Sequence, residues 1–163
     1  MGTLDSLSLF HSWPLFDAEE RIGRAQLDAL GHMMREPDGR AGVLASTLET
    51  GLWSCDLMRD SRLRWSPQVY ALFGLGLDEP LTRAAAVTCY AARSRAAMEA
   101  LRAHAIHHRR GFTLDAMLRR HDGEMRWMRL SAMPVIADGK VVRLCGTKQD
   151  VTVEYDGPGW RGF

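Results

Sequence analysis

The chain has 163 residues, of which 46% are apolar and 25% charged, and its formal net charge is +1. This length and composition predict one globular domain with a modest extension. The balanced charge gives no reason to expect nucleic-acid binding, and no apolar run approaches the roughly 20 residues that span a bilayer. The N-terminus lacks the basic and apolar regions of a signal peptide, so we expect a cytoplasmic protein without membrane insertion.

The three cysteines lie far apart in the sequence, at Cys55, Cys89 and Cys145, and form no C-x-x-C pair. Such spacing predicts neither a disulfide framework nor a metal site. We expect these cysteines to be small buried residues.

Residues 1–40 are interpreted as an amphipathic helical extension. Asp17 and Glu20 have the spacing of a capping box, and a turn cluster that contains Pro37 ends the helix. The apolar face of this helix needs a partner, either the rest of the chain or a second copy. The apolar residues expected to form an interaction surface here are Ile22, Leu30, Met33 and Met34.

Residues 41–155 are predicted to form the domain itself, in an α+β arrangement. A short helix is expected over residues 41–48, followed by a strand over 51–57 and a second strand over 62–65. Ser66 and Pro67 then have the pattern of a helix start, with Ser as the cap, and Gly74 ends that helix.

The second half of the domain changes from helix to strand. Residues 82–108 are rich in Ala and Arg and nearly free of helix breakers, which predicts one or two helices. Alternating apolar residues from Phe112 predict a strand, and the Asp-Gly pairs at residues 122–123 and 138–139 predict two successive hairpins. Together these patterns predict about five antiparallel strands.

The strand predicted over residues 124–135 has apolar residues on both of its faces. Met128 and Leu130 alternate with Trp127 and Met133. A strand of this kind is covered on both sides. We expect the helices of the domain to cover one face, and the N-terminal helix, a second subunit or a partner protein to contact Trp127 and Met133 on the other.

Four segments, in order, resemble the PAS family, in the subgroup found with bacterial sensor kinases and cyclic-dinucleotide enzymes. Residues 51–57 resemble its opening Gly-Ile-Trp-x-x-Asp-Leu strand, and residues 65–74 resemble Trp-Ser-x-x-x-Tyr-x-Leu-Phe-Gly. Residues 119–127 resemble Arg-x-x-Asp-Gly-x-x-Arg-Trp, and residues 146–152 resemble the closing Gly-x-x-x-Asp-Ile-Thr. The resemblance implies a PAS fold, a five-stranded antiparallel sheet with helices on one face that enclose a pocket. It also implies that Trp53, Trp65, Tyr70 and Phe73 are core residues that touch this pocket.

The helical segment departs from the family pattern, which bears on the cofactors that PAS domains bind. Residues 89–93 keep only the arginine of the family's His-Pro-x-Asp-Arg stretch. Flavin-binding members carry an Asn-Cys-Arg-Phe-Leu-Gln motif and a glutamine at the position of Lys148. Cys89 lies at a similar position but without the Asn, Arg and Gln of the motif, so we interpret it as a packed helix residue. A haem would need an axial ligand such as His104 or His108, which alternatively mark the end of a helix. We therefore expect no resident cofactor, with haem or a small organic ligand as the alternative.

No motif of a known enzyme class occurs in the sequence, so we expect neither catalytic residues nor enzymatic activity. After the closing Asp-x-Thr only residues 153–163 remain, and the glycines and proline of residues 156–163 predict a flexible tail. The leading interpretation is a stand-alone signalling adaptor, dimeric, that regulates a bacterial pathway of the histidine kinase and phosphorelay type through protein contact. The alternative is a sensor whose small-molecule or haem ligand controls dimerisation.

Overall fold

A computed structural model describes residues 12–13 and 50–155 of the chain. The helix predicted from residue 17, with Ile22, Leu30, Met33 and Met34, lies outside the described residues. The helix predicted over residues 41–48 and the tail 156–163 also lie outside them.

The described elements follow one another in the order strand, helix and strand that the sequence indicates. Their bounds are β1 (Ser12–Trp13), β2 (Gly51–Asp56), β3 (Arg62–Trp65), α1 (Pro67–Phe73), α2 (Arg83–Thr88), α3 (Ala92–His108), β4 (Phe112–Arg119), β5 (Met125–Ala137), β6 (Lys140–Asp150) and α4 (Thr152–Tyr155). The strands form one antiparallel sheet in the order β1-β4-β5-β6-β2-β3. The predicted α+β fold with five main strands, β2 to β6, is confirmed. The two-residue strand β1, on the outer edge of β4, is an addition that the sequence analysis did not predict.

Both predicted Asp-Gly hairpins are present. Gly123 and Gly139 have φ values of 88° and 75°, and Asp138 also has a positive φ of 49°. Positive φ at these positions turns the chain in the sense that matches the twist of antiparallel strands, and glycine adopts it without steric cost. These turns fix the register of β4, β5 and β6.

The helix start at Ser66 and Pro67 is also present, with one difference in bonding. Ser66 is the N-cap residue of α1 and Pro67 its first residue, but the Ser66 side chain makes no capping hydrogen bond. Its hydroxyl instead accepts from the backbone N–H of Leu52, at 2.9 Å. Ser66 therefore ties the start of α1 to β2.

The hydrophobic core lies between α1, α2, α3 and one face of the sheet. Side chains from all three helices contribute, among them Phe73, Ala86 and Met98, and each is buried. Two rows of paired residues cross this face of the sheet: Leu114, Leu130, Lys148 and Gly51 form one, and Phe112, Ala132, Gly146, Trp53 and Trp65 form the other. The first row places a lysine where its neighbours are apolar.

Candidate functional site

Four aromatic side chains from four parts of the fold meet on the helix-covered face of the sheet. Trp53 comes from β2, Trp65 from β3, Phe73 from α1, and Tyr90 from the turn between α2 and α3. The Trp65 and Phe73 ring centroids lie 4.4 Å apart, and those of Phe73 and Tyr90 6.2 Å apart. We call these four residues the aromatic cage.

Lys148 of β6 projects into the aromatic cage. Its Nζ atom lies 4.7 Å from the centroid of Phe73, 5.0 Å from Trp65, 5.4 Å from Trp53 and 5.8 Å from Tyr90. Only 6% of Lys148 is exposed to solvent. Within the described part of the chain, the amine of Lys148 makes one hydrogen bond, which it donates to Tyr90 Oη at 3.4 Å. A lysine this buried is rare in proteins, which makes the position a candidate site.

Two opposing effects set the charge of Lys148. The faces of the four rings attract an ammonium ion, by about 2 kcal/mol in a desolvated site. Burial away from water favours the neutral amine and is the larger effect, since it can shift a lysine pKa by several units. Burial therefore lowers the pKa of Lys148 from 10.5 to about 7. The charge of the amine therefore changes near neutral pH.

Tyr90, the hydrogen-bonding partner of Lys148, keeps its proton. Burial raises the pKa of Tyr90 well above its ordinary value of 10.0. The phenol is therefore neutral at physiological pH and can donate as well as accept a hydrogen bond. Of the pair, only Lys148 changes charge near neutral pH.

A cavity of about 50 Å³ lies beside Lys148, between the sheet and the helices α2 and α3. A single water molecule takes roughly 10–15 Å³ by this measure, so the cavity has room for a few such groups. The apolar part of its wall includes Ala86, Val87, Met98, Phe112, Leu130 and Leu144. Apolar walls with a few polar groups are typical of small-ligand sites.

The charged side chains that line this cavity are all cationic. Besides Lys148 they are Arg83 of α2 and Arg102 of α3, and none of the described lining residues is Asp or Glu. Arg83 forms an ion pair with Glu99, and Arg102 donates to Ser61 Oγ at 3.2 Å. The Arg83 side chain keeps 26% exposure, so this end of the cavity reaches the surface.

The structure brings together most of the aromatic residues singled out from the sequence. Trp53 lines the cavity, and Trp65 and Phe73 belong to the aromatic cage. Tyr70 lies one step further out, with its ring in edge contact with Trp65 at 5.4 Å. Which of them contacts a ligand stays a prediction.

Sequence reasoning missed Lys148 and Tyr90 as site residues. In the sequence, Lys148 stands out only because flavin-binding members of the family have glutamine at this position. The signal that would have found it is strand parity: Leu144, Gly146 and Lys148 alternate along β6 and so share the core-facing side.

The described residues do not fit a haem site. A haem needs an axial ligand that reaches into its pocket. His104 and His108 lie on α3 with ring centroids 4.3 Å apart, but both are exposed and neither lines the cavity. The cavity beside Lys148 therefore cannot serve as a haem pocket for either histidine.

Flavin chemistry does not fit the described residues either. Cys89 does not line the cavity, and its Sγ atom lies 3.9 Å from the carbonyl oxygen of Ala85 within its own helix. Burial raises the pKa of Cys89, which disfavours the thiolate. Among the residues that the structure describes, no three His, Cys, Asp or Glu side chains are grouped closely enough to hold a metal ion.

A second polar arrangement lies where β6 ends and α4 begins. Asp150 Oδ1 accepts from the Thr152 backbone N–H at 2.9 Å and from its hydroxyl at 2.6 Å. Thr152 Oγ1 in turn accepts from the Trp127 backbone N–H at 3.0 Å. We call Asp150, Thr152 and Trp127 the exit joint, because they attach the first turn of α4 to β5.

An ion-pair cluster fastens the same helix to the outward face of the sheet. Arg129 of β5 bridges Asp115 and Glu154, with N–O distances of 2.8 Å to each. Tyr155 donates to Asp115 and stacks on Trp127 with centroids 4.3 Å apart. The hydrogen bond with Asp115 raises the pKa of Arg129, so this cation stays charged.

Trp127 and Met133, predicted as interaction residues, both lie on the outward face and are half-buried. Other residues of this face are buried, among them Leu52, Ser131, Cys145 and Thr147. Within the described range, Tyr155 of α4 covers Trp127. Whether Trp127 and Met133 contact a partner protein stays a prediction.

A family model described as the PAS fold matches residues 62–148, just over half of the chain. No curated protein matches the chain. None of the described helices combines the length and the apolar character needed to cross a membrane.

Several solved structures share the fold. The sensory box histidine kinase/response regulator from Burkholderia thailandensis E264 superposes with a TM-score of 0.58 at 21% identity, covering 71% of this chain and 87% of that one. The N-terminal domain of a diguanylate cyclase with a PAS/PAC sensor from Marinobacter aquaeolei gives 0.59 at 19%, with coverages of 64% and 97%. An RNA-binding light-oxygen-voltage receptor gives 0.59 at 16%, but 67% of this chain covers only 31% of that protein. At these identities the likeness shows the fold alone.

Proposed function

Because the chain belongs to the PAS fold family, we propose that it is a cytoplasmic signalling adaptor that regulates a bacterial pathway of the histidine kinase type. In this proposal it acts as a dimer and through protein contact, without a catalytic step of its own. Its sensory fold receives a signal, and a partner protein of the pathway reads its state.

The exit joint is the observation that carries this proposal. Asp150 and Thr152 match the closing Asp-x-Thr through which members of the family pass a signal out of the domain. Here the two residues connect β6, β5 and α4 through three hydrogen bonds of 2.6 to 3.0 Å. A shift of the sheet therefore moves the start of α4 with it, which is the property that an output surface needs.

The kind of partner is suggested by the proteins that share the fold. The Burkholderia thailandensis structure is a sensory box histidine kinase/response regulator, and the Marinobacter aquaeolei structure belongs to a diguanylate cyclase. A protein of the histidine kinase or response-regulator class is therefore the partner to test first.

The test is cross-linking and affinity capture in the native host, with Asp150→Ala compared with the unchanged protein. Asp78→Ala, in the exposed loop between α1 and α2, is the matched control because it removes the same charge elsewhere. We expect the unchanged protein and the control to enrich a histidine kinase or response regulator, and Asp150→Ala to recover much less of it. Recovery at the level of an untagged strain contradicts the adaptor role.

A small-molecule sensor is the second candidate, favoured by the cavity beside Lys148. In this candidate a ligand in the cavity changes the dimerisation of the domain. Native mass spectrometry of protein purified from its own host measures bound mass and subunit number together. A protein of bare mass, whose subunit number does not respond to small molecules, contradicts this candidate.

A further inference from the structure

We propose that the cavity beside Lys148 binds a small monocarboxylate with a short apolar tail, whose carboxylate supplies a counter-ion for Lys148. The inference deepens the small-molecule sensor candidate and rests on it. It names the class of the ligand and the atom that recognises it.

The amine of Lys148 is incompletely hydrogen-bonded within the described residues. An ammonium group has three N–H donors, but within the described residues the Lys148 side chain makes one hydrogen bond, a long one of 3.4 Å to Tyr90 Oη. No ion pair joins Lys148 to a carboxylate in that part of the chain. Buried charges in proteins are paired or bound to a ligand, because an isolated one costs several kcal/mol. With the cavity directly beside Lys148, a ligand anion is the natural partner.

The charged side chains around the cavity are positive. Its cationic lining residues are Lys148 inside and Arg83 and Arg102 towards the surface. Glu99 already pairs with Arg83, and Arg102 is bonded to neutral Ser61, so the cavity keeps a positive potential. A positive potential inside low-dielectric walls concentrates anions.

The size and walls of the cavity restrict which anion fits. About 50 Å³ admits a few non-hydrogen groups, and apolar side chains such as Val87, Met98 and Leu144 form much of the wall. A short alkyl tail gains free energy against these walls, at about 0.8 kcal/mol per buried methylene group. Phosphate, sulfate and dicarboxylates lack such a tail and lose more hydration on entry.

Proton uptake is the third element of the proposal. The titratable and charged groups that face Lys148 are Tyr90, Cys55 of β2, Cys89 at the end of α2, Arg83 and Arg102. Tyr90 stays protonated, and burial raises the pKa of Cys89. Lys148 is thus the group expected to take up a proton when an anion enters at a pH above its own pKa.

The experiment is isothermal titration calorimetry of the purified full chain with straight-chain carboxylates from acetate to hexanoate. Butyramide serves as the uncharged analogue of butyrate. Lys148→Met keeps the length and apolar packing of the side chain but removes the amine. Lys140→Met is the matched control, because Lys140 is the only other lysine of the chain and is exposed next to the β5–β6 turn.

We expect at least one carboxylate to bind the unchanged protein and Lys140→Met equally, with butyramide and Lys148→Met at least about tenfold weaker. Because the pKa of Lys148 is about 7, affinity should fall by about tenfold between pH 6 and pH 8. Equal binding by Lys148→Met, or no binding of any carboxylate by the unchanged protein, overturns the proposal.

A second measurement uses the unchanged protein and so does not depend on whether a variant folds. With selectively ¹³C-labelled lysine, the chain gives only two lysine Cε signals, from Lys140 and Lys148. At pH 8, addition of butyrate should move the Lys148 signal towards its protonated position and leave the Lys140 signal in place. If neither signal moves, the proposal is overturned. A negative result in these titrations contradicts the carboxylate site but does not affect the outcome of the affinity capture. The ligand proposal and the adaptor proposal can therefore be disproved independently.

Discussion

Lys148 opposes folding, although it lies at the centre of the core. Folding strips water from its amine, and the aromatic cage returns only part of the lost hydration energy. The other residues of its cross-strand row, Gly51, Leu114 and Leu130, are apolar. A residue that costs stability at such a position is typical of a functional site.

The first prediction concerns the pH dependence that this residue gives to stability. The pKa of Lys148 falls from 10.5 in the unfolded chain to about 7 in the fold, so the unfolded chain binds more protons between these values. The free energy of unfolding should therefore rise with pH, and the Lys148 contribution amounts to about 2 kcal/mol between pH 7 and pH 9. Below pH 7 the amine is increasingly charged in both states, and its contribution levels off.

Urea unfolding of the unchanged protein and of Lys148→Met at several pH values measures this contribution. The difference in free energy of unfolding between the two proteins should depend on pH. Lys148→Met should be the more stable of the two at pH 7. Parallel curves for the two proteins contradict a buried amine.

At the scale of single elements, β6 is constrained by its closeness to β5. A Cβ atom added at Gly146 would lie 1.8 Å from the carbonyl oxygen of Ser131. Trp53 uses the space above Gly146, since its Nε1 donates to the same carbonyl oxygen at 3.2 Å. The glycine therefore allows both the pairing of β5 with β6 and the position of one wall of the aromatic cage.

The second prediction follows from that contact. Gly146→Ala should lower the free energy of unfolding by about 1–3 kcal/mol or more, because backbone has to move to accept the methyl group. Gly76→Ala is the control, since its added Cβ would meet only Glu79, at the ordinary distance of 3.5 Å. Chemical denaturation of both variants measures the difference, and equal stabilities contradict the close approach of β5 and β6.

The elements themselves were largely predictable from local sequence. Asp-Gly pairs at residues 122–123 and 138–139 predict hairpins because the geometry of a short turn depends on residues within the turn. For residues 82–108 the sequence predicts one or two helices. The break between them falls at Tyr90, whose pairing with Leu118 on β4 is a tertiary contact. Strand β1 has only two residues, too few for any periodic pattern.

The site was less predictable than the fold, for a physical reason. Trp53, Trp65 and Phe73 belong to recognisable motifs, and aromatic residues of a strand or helix are expected in a core. Tyr90 and Lys148 are 58 residues apart in sequence and meet only because β6 lies beneath the turn between α2 and α3. A buried lysine has no local signature beyond its strand parity, because lysine is ordinarily a surface residue.

At the scale of the whole molecule, the three thiols report how the fold opens. Cys55 and Cys145 are 3% and 2% exposed and lie on neighbouring strands, whereas Cys89 is only partly buried. Burial raises the pKa of Cys145 to about 11 and also raises that of Cys89. Both effects protect thiols, because the thiolate is the reactive form.

The third prediction is an order of reaction with Ellman's reagent in native buffer. Cys89 should react first, and Cys55 and Cys145 only at rates that increase with added urea, since they require the β2–β6 pair to separate. Cys89→Ala should remove the fast phase and keep the slow ones. A fast phase that survives in Cys89→Ala contradicts the burial of the other two thiols.

Lys148 and Asp150 lie two residues apart on β6, so about 7 Å of one strand separates the aromatic cage from the exit joint. A displacement of this strand along its axis moves the lysine and the aspartate together, without any relay of intermediate contacts. In the proposed sensor, receiving and transmitting a signal are in this sense one mechanical operation. A substitution that displaces β6 at Lys148 should therefore also displace Asp150 at the exit joint.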